Sequence, residues 1–330
     1  YKVVAVEGLS TNAQYGDNIK IINIPSTVKT INTNNLEGRS SLTKIVVDAQ
    51  NEVYASYDGA LYNKARTVLY LVPRAIKVVT LAPSLKEIEN SAFRDCRYIT
   101  RVTIPAAMTK FDNIQGGLFY GCTNLNTINV ESGNKRLFSD GGVLYEHAHL
   151  NNGPGINFFD PDTWEYYNTK SRLIMIPYAK TSLDIRADCN YVESYSCYYN
   201  SLKQITIESG NSYITVYDSV VYMKFNSEWD IQCFPGGKSE VNLMDGITSV
   251  TGELYGSDAL VKIVIPDSVT SIDDYKLKTS PVLRSINIPA GVTSIGTGVL
   301  ENAPNVTATV VKGTYGEEWC KNNNIKYIYG

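Results

Sequence analysis

Ile265-Pro266-Asp267-Ser268-Val269-Thr270-Ser271-Ile272 decides the fold, because it returns almost letter for letter as Ile288-Pro289-Ala290-Gly291-Val292-Thr293-Ser294-Ile295. The two prolines stand 23 residues apart, and an earlier copy reads Ile24-Pro25-Ser26-Thr27-Val28-Lys29-Thr30-Ile31. A self-similar unit with a period of ~20–50 residues is the signature of a solenoid. Such a unit is too small to bury its own apolar face, so neighbouring units stack and share one core.

Each unit also contains a stretch of the form Leu-x-x-Ile-x-Ile. Examples are Leu283–Ile288, Ile99–Ile104, Leu125–Val130, Leu202–Ile207 and Leu42–Val47. Alternation in the last four positions describes a strand with one buried face. Proline at the strand end has no N–H and closes the ladder there. About seven turns are counted on this signature. In the turn starting at Ile265, the side chains of Ile265, Val269, Ile272, Leu277, Leu283 and Ile286 are expected to point inward.

The segment before each Leu is compact. It reads Ala92-Phe93-Arg94-Asp95-Cys96 in one turn and Leu118-Phe119-Tyr120-Gly121-Cys122 in the next. These units resemble the BspA-type leucine-rich repeats of bacterial surface proteins, whose unit runs Ile-Pro-x-x-Val-x-x-Ile, Ala-Phe-x-x-Cys, Leu-x-x-Ile. The resemblance covers nearly the whole chain and is most specific over residues 79–130 and 260–300. Tyr275-Lys276-Leu277 and Val299-Leu300 depart from it where Ala-Phe is usual. It implies a right-handed leucine-rich-repeat-like superhelix of short parallel strands with hairpin inserts and little helix. It also implies a non-enzymatic surface or secreted protein that mediates protein–protein contact or adhesion.

Hairpin inserts interrupt the array three times: Asn51, Tyr54 and Asp58-Gly59-Ala60-Leu61-Tyr62; Asn134, Phe138 and Asp140-Gly141-Gly142-Val143-Leu144-Tyr145; Asn211, Tyr213 and Asp218-Ser219-Val220-Val221-Tyr222. Asp-Gly between strand residues signals a tight hairpin, because Gly accepts positive φ. Ser219 replaces that Gly in the third copy and leaves its turn type open. Returning strands end at Pro73, Pro177 and Pro235, which lie 11, 32 and 13 residues beyond the hairpin tyrosines. The second insert, residues 146–172, is therefore the long one.

One solenoid over residues 1–330 is expected, with residues 1–17 as an N-terminal cap or truncated repeat and 312–330 as a C-terminal cap. Thr314 and Glu317 form a capping-box pattern for a helix through about residue 322, and Ile325–Tyr329 reads as a last strand. The chain opens at Tyr1 without an apolar leader, so a mature or truncated form whose export signal has been removed is expected.

The charge of −3 offers no basic surface for nucleic acid. No run of about 18 apolar residues is present, so no transmembrane segment is expected. No Gly-x-Ser-x-Gly, P-loop or His-Glu-x-x-His motif occurs, and neither catalysis nor a cofactor is expected. His147 and His149 beside Glu146, with Asp160 or Asp162, have spacing too loose for a metal site and read as an exposed pair. The six cysteines include no Cys-x-x-Cys pair. Cys96, Cys122 and Cys197 share one place in the cycle and are expected to be buried free thiols.

Two sets of residues are candidates for binding. The first is Phe158, Phe159, Trp164, Tyr166 and Tyr167 in the long insert, because insertions in repeat proteins map to loops that often bind and Trp and Tyr dominate hot spots. The second is the outward strand face, including Lys44, Arg101, Thr103, Asn129, Thr206 and Asn287. Tyr is abundant, 24 against 8 Phe and 3 Trp, which suits half-exposed strands or a contact surface. The expected partner is a protein on a host or microbial surface, met at the cell surface or outside the cell. A carbohydrate-binding component and a structural spacer for another domain are the alternatives.

Overall fold

The computed structural model describes residues 5–6, 18–33, 36, 39–108, 110, 118–147, 171–193, 197, 200–225, 228–250, 258–277 and 280–330. The chain divides into two compact units. One comprises Tyr1–His147 with Pro177–Ala179, and the other Ala148–Ile176 with Lys180–Gly330.

In the first unit, Ile21–Ile24 pairs in parallel with Lys44–Val47, and Arg101–Ile104 with Thr127–Val130. Ile45, Val102, Ile104 and Ile128 point inward and are buried, whereas Lys44, Arg101 and Thr103 are exposed. Phe93 and Phe119 from successive turns meet in the core with ring centroids 4.9 Å apart. In the second unit, Ser182–Ile185 pairs with Gln204–Ile207. A five-stranded parallel sheet follows, from Glu240–Asn242 through Lys262–Val264, Ser285–Ile288 and Thr307–Val310 to Lys326–Tyr329. A second ladder joins Ser249–Val250, Ser271–Ile272 and Ser294–Ile295. The core lies between the two ladders, where all six side chains expected inward in the turn from Ile265 are at most 2% exposed. Leu277 and Val299–Leu300, where Ala-Phe is usual, are buried as well.

Counted over both units there are about twelve turns rather than seven. Two of the extra turns hide because lysines stand where others carry Leu. Lys180 and Lys238 each precede the buried strand residue, Leu183 or Val241, by three positions. A lysine fills such a slot with its aliphatic stem while its ammonium reaches solvent or an acid. Lys238 does so by pairing with Asp218.

The three hairpins form as expected: Tyr54–Tyr57 with Ala60–Asn63, Leu137–Asp140 with Val143–Glu146, and Ile214–Tyr217 with Val220–Phe225. The tips are Asp58-Gly59, Gly141-Gly142 and Asp218-Ser219, and both residues of each have positive φ. Ser219, at φ 66°, thus adopts the turn that glycine favours. Ser219→Gly should stabilise the protein by about 1 kcal/mol, because it removes a left-handed penalty of that order; thermal melting checks this.

Each insert is bolted to the turn before it by its first residue. Asn51 donates from Nδ2 to the carbonyls of Pro25 and Val28 and accepts at Oδ1 from the Val53 and Tyr54 N–H groups, over 2.7–2.9 Å. Asn134 makes the same four bonds to Pro105, Met108, Arg136 and Leu137. Asn211 makes them to Arg186, Cys189, Tyr213 and Ile214. Bonds to the turn after it hold the first and third inserts. The Tyr62 and Tyr222 hydroxyls accept the Ala82 and Met244 N–H groups, and the Asp58 and Asp218 carboxylates accept those of Thr80 and Asn242. Part of the tyrosine excess is therefore structural, since Tyr62, Tyr145 and Tyr222 are among the largest fully buried side chains.

The cysteines require one correction. Cys96 and Cys122 are buried and free, as are Cys189 and Cys320, but Cys197 is bonded to Cys233 with their Cα atoms 5.4 Å apart. Position in the cycle does turn Cys197 inward, to 4% exposure. What differs is the neighbour: two residues before its closing proline, the third insert carries Cys233 where the others carry Leu71 and Met175.

Near the C-terminus, the helix Tyr315–Asn322 and the strand Lys326–Tyr329 match expectation, but the capping box does not. Thr314 makes no side-chain cap bond; its hydroxyl donates to the Val311 carbonyl, and Glu317 accepts the Gly313 N–H at 2.7 Å. That bond, with those from Lys321 and Tyr329, lowers the Glu317 pKa to about 2.

Candidate functional site

Phe158, Phe159, Trp164, Tyr166 and Tyr167 lie outside the described residues, as do His149, Asp160, Asp162 and residues 1–17 apart from Ala5–Val6. The stem of the long insert is described. Arg136 pairs with the buried Glu146 at 2.7 Å, and Phe138 stacks between Tyr145 and His147 at 5.3 and 4.5 Å.

The outward strand residues are distributed over both units. Arg101 lies opposite Thr127 and Thr103 opposite Asn129, so these four make a contiguous quartet in the first unit. Lys44 sits apart, opposite Ile21. In the second unit Thr206 donates to Asp184 Oδ1 at 2.8 Å. Asn287 accepts the Ile265 N–H at 2.7 Å and donates to the Ile265 carbonyl at 2.6 Å. Thr206 and Asn287 thus tie neighbouring turns together, as ladders on parallel sheets do. Around Asn287 the outward rows read Glu240, Lys262, Ser285, Thr307, Lys326 and Asn242, Val264, Asn287, Thr309, Ile328. A face of mixed charge and hydrogen-bonding groups can complement a protein surface.

Among the described residues no group of three or more His, Cys, Asp and Glu could hold a metal. The four free thiols are all buried, and desolvation pushes Cys122 and Cys189 up to about 12 and Cys320 to about 11. None is a poised nucleophile, because reactivity needs the thiolate.

The compact segments hold a feature that the sequence reading passed over. Asn90, Ser91, Arg94 and Tyr120 line a cleft of about 320 Å³. The Arg94 guanidinium lies over the Tyr120 ring, 5.4 Å from its centroid. The only sequence signal was an Arg and a Tyr at variable positions of consecutive units.

A model of the BspA type leucine rich repeat region matches the chain in six copies, over residues 5–67, 73–141 and 232–328. No curated protein matches it. Among solved structures, it is similar to a leucine rich cell surface protein from Faecalibacterium prausnitzii, with 15% identity, 97% of this chain and 81% of that one covered, and a TM-score of 0.47. It is also similar to the pneumococcal vaccine antigen PcpA, with 17% identity, 94% and 68% covered, and a TM-score of 0.43. A leucine-rich repeat protein from Bacteroides ovatus matches at 16% identity, covering 94% and 84%, with a TM-score of 0.29.

Proposed function

The chain belongs to the BspA-type leucine-rich repeat family, and from that premise we propose that it is a non-enzymatic binding protein of the cell surface or extracellular space, whose partner is a protein on a host or microbial surface. The observation that carries this reading is the in-register quartet of Arg101, Thr103, Thr127 and Asn129. The side chains of Arg101 and Thr103 are exposed and make no bond to the described residues, so their donors are available to a partner. The Cys197–Cys233 bond supports an oxidising compartment, where such bonds persist. No helix among the described residues is long and apolar enough to cross a membrane. The long insert, Glu146–Arg172, is proposed as a second contact through its aromatic residues.

The test is binding of the immobilised protein to a panel of purified host extracellular-matrix proteins and to intact bacteria, with a glycan array in parallel. Arg101→Glu is expected to weaken capture of a bound protein at least tenfold. Replacing residues 148–170 with Asn-Gly is expected to abolish capture while leaving melting nearly unchanged. Binding to glycans alone, or protein capture indifferent to both changes, overturns the reading.

A further inference from the structure

We propose that the Arg94–Tyr120 cleft is a recognition site for a carboxylate side chain in an acidic segment of a partner protein. This rests on the protein-binding reading but uses a surface distinct from the strand face. A second turn of the same chain shows what a purely structural residue does here. Asp95, at φ 59°, donates its N–H to the Tyr120 carbonyl at 2.7 Å, and Gly121 follows at φ 77°. In the other unit Tyr275, at φ 61°, donates to the Thr297 carbonyl at 2.9 Å, and Gly298 follows at φ 67°. The two sites are thus equivalent, and Arg94 corresponds to Asp274. Asp274 serves the fold: its Oδ1 accepts the Thr297 N–H at 2.6 Å. Arg94 makes no such bond. The one interaction of its side chain among the described residues is with the Tyr120 ring.

A cation–π contact with an aromatic face restrains the guanidinium and leaves its N–H fork free, the fork that matches a carboxylate with two parallel bonds. The local charge favours an acid. Asp95, the acid next to Arg94 in sequence, already lies 3.6 Å from both Arg74 and Arg97, and no acid among the described residues forms an ion pair with Arg94. Asn90 and Ser91 add an amide and a hydroxyl to the cleft wall. Tyr98 and Tyr120, 55% and 40% exposed, offer apolar contact area in the same compact segments. Arg and Tyr are the types most enriched in the centres of protein interfaces. That breadth favours a peptide over a single sugar acid.

The test is fluorescence anisotropy with a labelled hexaglutamate peptide, using the whole chain, and a sialylated trisaccharide as competitor. Saturable binding is expected, weakened at least tenfold by Arg94→Gln and severalfold by Arg94→Lys, which keeps the charge but loses the fork. Lys312→Gln, an exposed lysine outside both candidate surfaces, should change it less than twofold. Absence of binding, equal losses in the Arg94 and Lys312 variants, or displacement by the trisaccharide at concentrations below those of the peptide would overturn the proposal. If the peptide fails while Arg101-dependent protein capture persists, the cleft assignment alone is wrong.

Discussion

Asn51→Ala should lower the unfolding free energy by about 4 kcal/mol, since it strands four hydrogen-bonding groups in a site at 0% exposure. The Pro25 and Val28 carbonyls lose their donor, and the Val53 and Tyr54 N–H groups lose their acceptor. Water can reach the part-buried groups but not the Val28 carbonyl, so the loss should fall below the sum of four full penalties. Asn134→Ala should cost a similar amount and Asn211→Ala, whose four bonds are part-buried, less, whereas Asn129→Ala, on the strand face, should stay within about 0.5 kcal/mol. Asn51→Asp makes the test sharper. It keeps the acceptor but turns a carboxylate toward two carbonyls, which raises its folded-state pKa above the unfolded one. Its stability should therefore be greatest below the unfolded carboxyl range and fall as pH rises through the folded value. Urea melts at acid and neutral pH measure both effects, and a neutral Asn51→Ala would show that the bracket contributes nothing.

Removing the Cys197–Cys233 bond should have an effect of similar size. A closed loop of 36 residues restricts the unfolded chain by about 4 kcal/mol on loop-entropy grounds. Reduction, or the double change Cys197→Ser and Cys233→Ala, should lower the denaturation midpoint accordingly. Thiol counting makes the assignment explicit. The native protein should resist alkylation at Cys96 and Cys122, because burial raises both thiol pKa values and blocks access. Unfolded without reductant it should expose four thiols, and with reductant all six. Six thiols without reductant would rule the bond out.

The repeat could be read from its letters because period and alternation are local properties. Ile265, Val269 and Ile272 point inward for the same reason that their spacing recurs. Long-range facts were less legible. Cys197 looked like Cys96 and Cys122 because position in the cycle governs direction, while its bonding partner lies 36 residues away across an insert. Lys180 and Lys238 concealed turns because a lysine stem can do part of the work of leucine. Asn51, Asn134 and Asn211 were visible as recurring letters, yet nothing local shows that each bonds to a turn some 23 residues earlier. Thr206 and Asn287 point outward as alternation requires, but outward residues on a parallel sheet can also bond the adjacent turn, and these two do. The Arg94–Tyr120 cleft combines two positions that the repeat leaves free, so it became apparent only when the turns were stacked.

The proposed binding role requires inserts that are held rigidly against the turns. Native-state hydrogen exchange measures that rigidity directly. The amides of Val53, Tyr54, Arg136, Leu137, Tyr213 and Ile214 donate to the three bracketing asparagines and should exchange as slowly as those of the buried strand residues Ile45 and Ile128. Exchange of all six at the rate of open loops would contradict the account, because the inserts would then be hinged to the array rather than fixed to it.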